Sequence, residues 1–289
     1  KNETSDVLLS TQFPASTGFS SKYTNAASIE NTGFEFDLGI DIIQTNDFNW
    51  DINATWNTNK NEVTSLNGSE SLFLGGFSGT SSRAVVGEAL GTLWGGLYAR
   101  DDKGAYILDN NNFPTVQANE GILGDPNPDW RGSLGTSISY KNFKLSGLFD
   151  ASIGGDAWDG TTGALSFFGR TPGTANEVTV SAADAVSIRN ITGSSIASLP
   201  QAIANADGTF TIRGNLRDFG GGNVLLDQSW YQGIGGGFGP VAENFIKDAS
   251  WIKLRQITLS YKFDEKIFQN IFINSIEMSV TGRNLWIWT

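Results

Sequence analysis

Residues 33–59 alternate apolar and polar side chains in two consecutive runs joined by a short polar turn. From Gly33 to Ile43, Phe34, Phe36, Leu38, Ile40 and Ile42 share one parity, and Glu35, Asp37, Gly39 and Asp41 share the other. Gln44-Thr45-Asn46-Asp47 forms the turn. In the second run Phe48, Trp50, Ile52, Ala54 and Trp56 alternate with Asn49, Asp51, Asn53, Thr55 and Asn57. A period of two predicts strands, and two such runs across a short polar link predict a hairpin. Each run has about 10 residues, the length at which a tilted strand crosses a bilayer. One parity suits hydrocarbon. The other is acidic and amide-rich, which suits a wet lumen better than a packed core.

The pattern recurs twice. At 130–154, Trp130, Leu134, Ile138 and Tyr140 alternate with Ser133, Ser137 and Ser139, and Lys141-Asn142 turns the chain. Phe143, Leu145, Gly147, Phe149 and Ala151 then oppose Lys144, Ser146, Asp150 and Ser152, with Leu148 as the one violation. The third hairpin starts at Trp251. Its first arm alternates Ile257, Leu259, Tyr261 and Phe263 with Thr258, Ser260 and Lys262. The turn region 264–274 carries Asp264, Glu265 and Lys266, and the return arm sets Ile276, Met278 and Val280 against Glu277, Ser279, Thr281 and Arg283. Asp6–Gln12 reads as the end of a further strand, and Pro14 through Asn31 as a loop.

Long links, about 60–129 and 155–249, separate the hairpins, and a short helix is expected within 180–206. Short turns alternating with long links are the asymmetry of transmembrane β-barrels. A soluble sandwich would turn every 8–12 residues or so. The fold class is therefore all-β, an antiparallel transmembrane β-barrel of which roughly seven strands are present. An open sheet in lipid leaves unpaired edge groups, so the remaining strands are expected from residues outside this chain. The end at Trp286-Ile287-Trp288-Thr289, inside a strand, carries the same expectation of a longer protein.

Composition narrows the chemistry. The 289 residues include no Cys and no His. That removes disulfides, thiol nucleophiles, the usual base of Ser or Cys hydrolases and the usual zinc ligands. A formal charge of −11 speaks against nucleic acid as a partner. No run of apolar residues is long enough for a transmembrane helix, so a membrane role must run through strands.

The polar parity, Glu35, Asp37, Asp41, Asp51 and Asn53, reads as lumen wall. An acid pair for glycoside hydrolysis is the weaker reading of the same carboxylates. Phe34, Phe36, Leu38, Ile40, Trp50, Ile52, Leu145, Phe149, Leu259 and Tyr261 read as lipid-facing. Trp50, Trp56, Trp130, Tyr140, Trp251 and Tyr261 lie near strand ends, at girdle positions. In the links, Trp94, Tyr98, Trp158, Phe167, Phe168, Arg170, Trp230 and Tyr231 are candidates for substrate contact, with loop-to-loop packing as the plainer alternative. Gly233 to Gly239 lacks the spacing of a phosphate-cradling loop, because Phe238 stands where the last Gly should be, and reads as a flexible extracellular loop. Asp101-Asp102-Lys103-Gly104 and Asp109-Asn110-Asn111-Asn112 offer calcium-type oxygen donors in extracellular loops, but neither is an EF-hand and a plain polar loop is favoured. No other cofactor or metal is expected.

Six segments then carry a family likeness, in order along the chain. Ser28-Ile29-Glu30-Asn31-Thr32-Gly33-Phe34-Glu35-Phe36, Phe48-Asn49-Trp50-Asp51 with Asn57 to Val63, Val86-Gly87-Glu88-Ala89-Leu90-Gly91, Gly124-Asp125-Pro126-Asn127-Pro128-Asp129-Trp130, Phe245 to Leu254, and Val280-Thr281-Gly282-Arg283-Asn284-Leu285 resemble stretches of SusC/RagA-type TonB-dependent transporters. Asp125 stands where that family more commonly has Asn. The resemblance implies a 22-stranded outer-membrane barrel with an N-terminal plug, of which residues 1–289 are a C-terminal part. The plug and TonB box fall outside this chain. It further implies a Gram-negative, Bacteroidota-like outer membrane, import of oligosaccharides or peptides, a SusD-like surface lipoprotein as lid, and TonB as the energy partner. It implies no enzyme activity. Two rivals remain: a soluble or surface β-sandwich that binds glycans, with Phe34, Phe36, Trp50 and Trp56 in a dry core, and a structural outer-membrane barrel that transports nothing.

Overall fold

The alternating runs pair edge to edge into one antiparallel sheet, which forms a wall. The computed structural model describes residues 1–12, 15–19, 21–77, 79–263 and 275–289. The chain begins with β1 (Asn2–Gln12), β2 (Ser21–Gln44) and β3 (Phe48–Ser65). A first insertion holds β4 (Ser71–Phe77), β5 (Thr80–Val85), β6 (Thr92–Gly95) and β7 (Gly121–Gly124). The wall resumes with β8 (Trp130–Tyr140) and β9 (Phe143–Ile153). A second insertion holds β10 (Asp156–Trp158), α1 (Gly160–Phe167), β11 (Glu177–Val180), α2 (Ala182–Ser187), β12 (Ile203–Ala204), β13 (Phe210–Arg213), β14 (Asn215–Asp218), β15 (Asn223–Leu226), α3 (Gln228–Tyr231) and β16 (Ile246–Asp248). The wall ends with β17 (Trp251–Lys262) and β18 (Glu277–Trp288).

The wall has seven strands in the order β1-β2-β3-β8-β9-β17-β18. Its register lines up the apolar parity across strands. One row runs Leu38, Ala54, Leu134, Phe149, Leu254, Trp286, and a second runs Ile43, Trp50, Ile138, Leu145, Leu259, Val280. The opposite face repeats Asp41, Asp51, Ser137, Ser146, Thr258, Thr281. Phe34 is 74% exposed and Phe36 55% exposed. None of the described residues covers this apolar face, so the dry core required by the sandwich reading is not formed among them. Leu148, the parity violation, sits on the polar face between Gly135, which leaves room for it, and Gln256.

Besides register irregularities near Val7 and Ser28, two bulges shift the parity in the alternating runs. One lies between Asp41 and Ile43, so Ile43 rather than Ile42 takes the apolar place opposite Trp50. The other lies at Arg255 against both neighbours of β17. It puts Ile252 and Leu254 on the same face as Ile257 and Leu259.

The loop expected from Pro14 to Asn31 is largely strand. β2 starts at Ser21 and pairs with β1 as far as Asn31. With 24 residues it runs about 80 Å at roughly 3.3 Å per residue, against about 36 Å for the 11-residue β8. The upper part of β2 and β3 therefore stands above the bilayer-sized band. There Ala27, Val63, Leu66 and Ala84 form a small core with Val7, Leu9, Leu72 and Leu90. Backbone bonds from Val63 N to Glu88 O and Gly87 N to Val63 O, both 2.8 Å, fasten the first insertion to this ledge. Pro14 and the turn carrying Asp264, Glu265 and Lys266 lie outside the described residues.

Candidate functional site

Both insertions lie on the side of the wall away from the short turns at 45–47 and 141–142, and they fold into one packed layer. Their tight corners share a chemistry. Asp101 Oδ1 accepts the backbone N–H of Lys103 and Ala105, both at 2.9 Å. Asp109 Oδ1 accepts those of Asn111 at 2.8 Å and Phe113 at 2.9 Å. Asn190 repeats the arrangement with Thr192 and Ser194. The fourth residue of each turn, Gly104, Asn112 and Gly193, has positive φ, which Gly and Asn tolerate best. In both segments offered as calcium donors, one oxygen of the leading Asp thus holds the backbone of a hairpin corner. Among the described residues no group of three or more acidic side chains could hold a metal.

The corners close ribbons around an aromatic core of Tyr98, Phe113, Phe219, Val224, Leu226, Trp230 and Val241. Trp230 lies 5.5 Å, centroid to centroid, from both Phe113 and Phe219. An ion pair ties the two insertions together: Arg100 donates to Glu243 Oε1 at 2.6 Å and Oε2 at 3.1 Å, and Glu243 Oε2 also accepts Tyr98 N at 3.0 Å. The Gly233 to Gly239 run is an inner seam of this layer. Gly235, Gly236 and Gly237 are buried, and a side chain on Gly237 would run into the backbone of Gly163 in α1.

On the flank of the layer opens a cleft of about 700 Å³ lined by Phe167, Phe168, Arg170, Arg213, Tyr231 and Gln232, among others. α1 supplies the first wall. Asp159 caps it by accepting Thr162 N at 2.9 Å, and Gly169 (φ 65°) reverses the chain so that Arg170 N reaches Leu165 O at 2.7 Å. Phe167, Phe168 and Phe238 meet edge to face, with Phe167 5.2 Å from Phe168 and 5.1 Å from Phe238.

α3 supplies the second wall. Asp227 caps it through Ser229 N at 2.9 Å and is held in turn by Asn190 Nδ2 at 2.8 Å. This single turn sends Trp230 into the core and Tyr231 into the cleft. The Tyr231 hydroxyl accepts Asn215 Nδ2 at 2.9 Å, and burial raises its pKa.

The cleft gathers four of the eight loop residues singled out in the sequence: Phe167, Phe168, Arg170 and Tyr231. Tyr98 and Trp230 are corrected to core residues, 2% and 4% exposed, because their rings anchor one insertion to the other. Trp158 packs against Phe77, 6.0 Å away, and Trp94 lies under Arg83, whose guanidinium carbon is 5.0 Å from its ring. Neither reaches the cleft lining. Arg213 went unrecognised. Its only sequence signal is the alternation of β13, which buries Ile212 and turns Arg213 outward.

On the wall, Glu35, Asp37 and Asn53 are exposed and Asp51 half-buried, and Asp41 stands directly opposite Asp51. Phe34, Phe36, Leu38, Ile40, Leu145, Phe149 and Leu259 are exposed on the other face, with Trp50, Ile52 and Tyr261 half-buried beside them. The indole N–H of Trp50 finds Thr136 Oγ1 at 3.0 Å, so its polar edge is satisfied on that face.

No family model matches the chain. It is 24% identical over 311 residues to TonB-dependent receptor P3 of Formosa agariphila, covering 99% of this chain and 27% of that protein. It is 31% identical over 168 residues to the TonB-dependent receptor SusC of Bacteroides thetaiotaomicron, covering 52% of this chain and 17% of that protein. Among solved structures, that of the RagAB peptide transporter superposes with a TM-score of 0.62 at 18% identity, over 99% of this chain and 29% of that one. The chain thus spans less than a third of the length of the curated relatives it matches.

Proposed function

We propose that this chain, similar in sequence to SusC-type TonB-dependent receptors and in fold to the RagAB peptide transporter, works as part of an outer-membrane importer, by binding and gating rather than by bond chemistry. The apolar face of the wall meets lipid and the carboxylate and amide face meets the pore. The folded layer on the far side of the short turns forms part of the external binding chamber. A SusD-like lipoprotein closes over that chamber, and TonB drives release through a region beyond these residues.

The observation that carries this reading is the cleft of Phe167, Phe168, Arg170 and Tyr231, set in a packed layer above a two-faced wall. Phe168, 64% exposed, gives a flat apolar platform, and Tyr231, Gln228 and Gln232 place polar groups around it. Aromatic platforms rimmed by amides and hydroxyls fit the alternating apolar and hydroxyl surfaces of a sugar ring. An oligosaccharide is therefore the first choice of cargo. A peptide is the second, favoured by the likeness to a peptide transporter.

The test is binding and uptake of labelled oligosaccharides by the full-length protein with Phe168→Ala and Tyr231→Ala combined. Loss of both, with the barrel still assembled in the outer membrane, supports the cleft as a substrate site. Undiminished uptake removes it.

A further inference from the structure

We infer that the cleft selects a negatively charged oligosaccharide, one bearing carboxylate or sulfate groups. This deepens the reading of the cleft as a substrate site and rests on it. The argument starts from how the other arginines of the layer are used. Arg100 is spent on Glu243 and lies over Tyr106. Arg83 pairs with Glu120 and covers Trp94. Arg217 lies over Phe219, its guanidinium carbon 4.5 Å from the ring. Arg189 donates to Gly193 O at 2.8 Å.

Arg170 and Arg213 differ from these in their place on the cleft wall, although Arg213, like Arg189, is bound to a backbone carbonyl. Both line the same cleft, and among the described residues neither forms an ion pair or covers a ring. Arg213 commits its Nε to Thr174 O at 2.7 Å, which fixes the stem and leaves the two terminal nitrogens of the fork unspent. A side chain on Gly169 would lie 3.8 Å from one of those nitrogens, so Arg213 reaches the turn that carries Arg170.

The one carboxylate on the cleft wall, Asp227, is 3% exposed and is occupied by Asn190 and the α3 backbone. It is a structural cap that forms no ion pair with either arginine, and neither does Glu177, the cross-strand neighbour of Arg213. Two like charges brought to one concave site, in a chain of 30 acidic and 19 basic residues, call for an external anion. The guanidinium fork matches the planar oxygens of a carboxylate or the face of a sulfate. The neighbouring Phe168 ring and the Gln228 and Gln232 amides match the sugar that carries them.

The experiment measures binding to the full-length, detergent-solubilised protein by calorimetry. Its probes are tetragalacturonate, the fully methyl-esterified tetragalacturonate, a carrageenan tetrasaccharide and an acidic pentapeptide. The acid form, the sulfated form or both should bind roughly 10- to 100-fold tighter than the ester, and Arg170→Gln with Arg213→Gln should erase that difference. Arg213→Lys should retain most of it, with an unchanged melting temperature reporting an intact layer. The two anionic sugars separate carboxylate from sulfate as the recognised group.

Equal affinity for acid and ester, with both lost on Phe168→Ala and Tyr231→Ala, would overturn the charge selection and leave the cleft as a neutral-sugar site. Charge preference untouched by the arginine variants, or binding of the pentapeptide alone, would also overturn it. Binding of no sugar in a Phe168- and Tyr231-dependent manner would remove the substrate site itself.

Discussion

Arg255 donates from Nε to Asp150 Oδ2 at 2.6 Å, across a bulge that interrupts the pairing of β17 with both β9 and β18. The bulge turns Arg255 to the polar face and flips the parity of β17 from the even set, Ile252 and Leu254, to the odd set, Ile257, Leu259 and Tyr261. The ion pair itself is half in water. Asp150→Asn or Arg255→Gln should therefore cost no more than about 1 kcal/mol. Deleting Arg255 is different in kind, because it removes the parity switch and forces one half of the strand to face the wrong solvent. Heat-modifiable migration on gels would show the substituted proteins folded and the deletion unassembled. A well-assembled deletion would mean that the bulge is not what sets the facing.

The wall predicts an asymmetry between its faces. Leu38 and Ile40 sit mid-strand in apolar rows, so Leu38→Arg or Ile40→Arg should cost about 2–4 kcal/mol of barrel stability. Asn53, opposite Gly39 and Gly135 on the polar face, is exposed. Asn53→Ala should change little. Denaturant titration in detergent or lipid compares the three, and similar losses at all of them would contradict the assigned faces.

How far the sequence could be read follows from where each pattern resides. Alternation is local, and because the apolar side chains of this hairpin stay largely exposed among the described residues, Phe34 to Trp56 reveal their facing directly. The upper half of β2 hid because Ser21 to Thr32 is largely polar on both parities, its buried apolar residues being the small Ala26 and Ala27 and the single Ile29. The bulges hid because a parity flip looks like noise until the partner strand is known. The core of the loop layer hid for another reason: Tyr98 meets Trp230 only after two insertions, far apart in sequence, have packed together. From sequence alone a buried aromatic in a loop and a ligand-contacting one look the same. That is why the eight candidates divided into core, sheet and cleft, and why Arg213 was overlooked.

That division gives a stability prediction. Trp230→Ala should destabilise the loop layer by about 3–5 kcal/mol, because it empties the middle of a ring cluster. Phe168→Ala should cost well under about 1 kcal/mol, since most of that ring is already solvated. Limited proteolysis should cut the first variant within 96–118 and 215–245 while the wall stays resistant. Equal protease sensitivity of both variants would place Trp230 outside any real core.

The corners of the loop layer also set its response to pH. Hydrogen bonds from the Thr209 side chain and backbone lower the Asp207 pKa, and backbone N–H groups of Gly220 and Gly222 lower that of Asp218. Bonds from Thr162 lower Asp159, and bonds from Ser250 lower Asp248. A carboxylate whose pKa is lowered on folding stabilises the fold above its ordinary value. That contribution is lost as pH falls from the ordinary value, about 3.9, through the lowered one. At the other end, burial raises the Tyr98 hydroxyl, so its neutral form favours the fold up to the ordinary tyrosine value near about 10 and the benefit fades above it. Protease protection of the layer should therefore be flat between these limits and fall at both ends, while the wall, held by apolar rows and its backbone ladder, persists. Asp218→Asn keeps an acceptor for Gly220 and Gly222 but no longer titrates, so it should blunt the acid limb without touching the alkaline one. An acid limb unchanged by this substitution would mean that the turn carboxylate does not contribute to it.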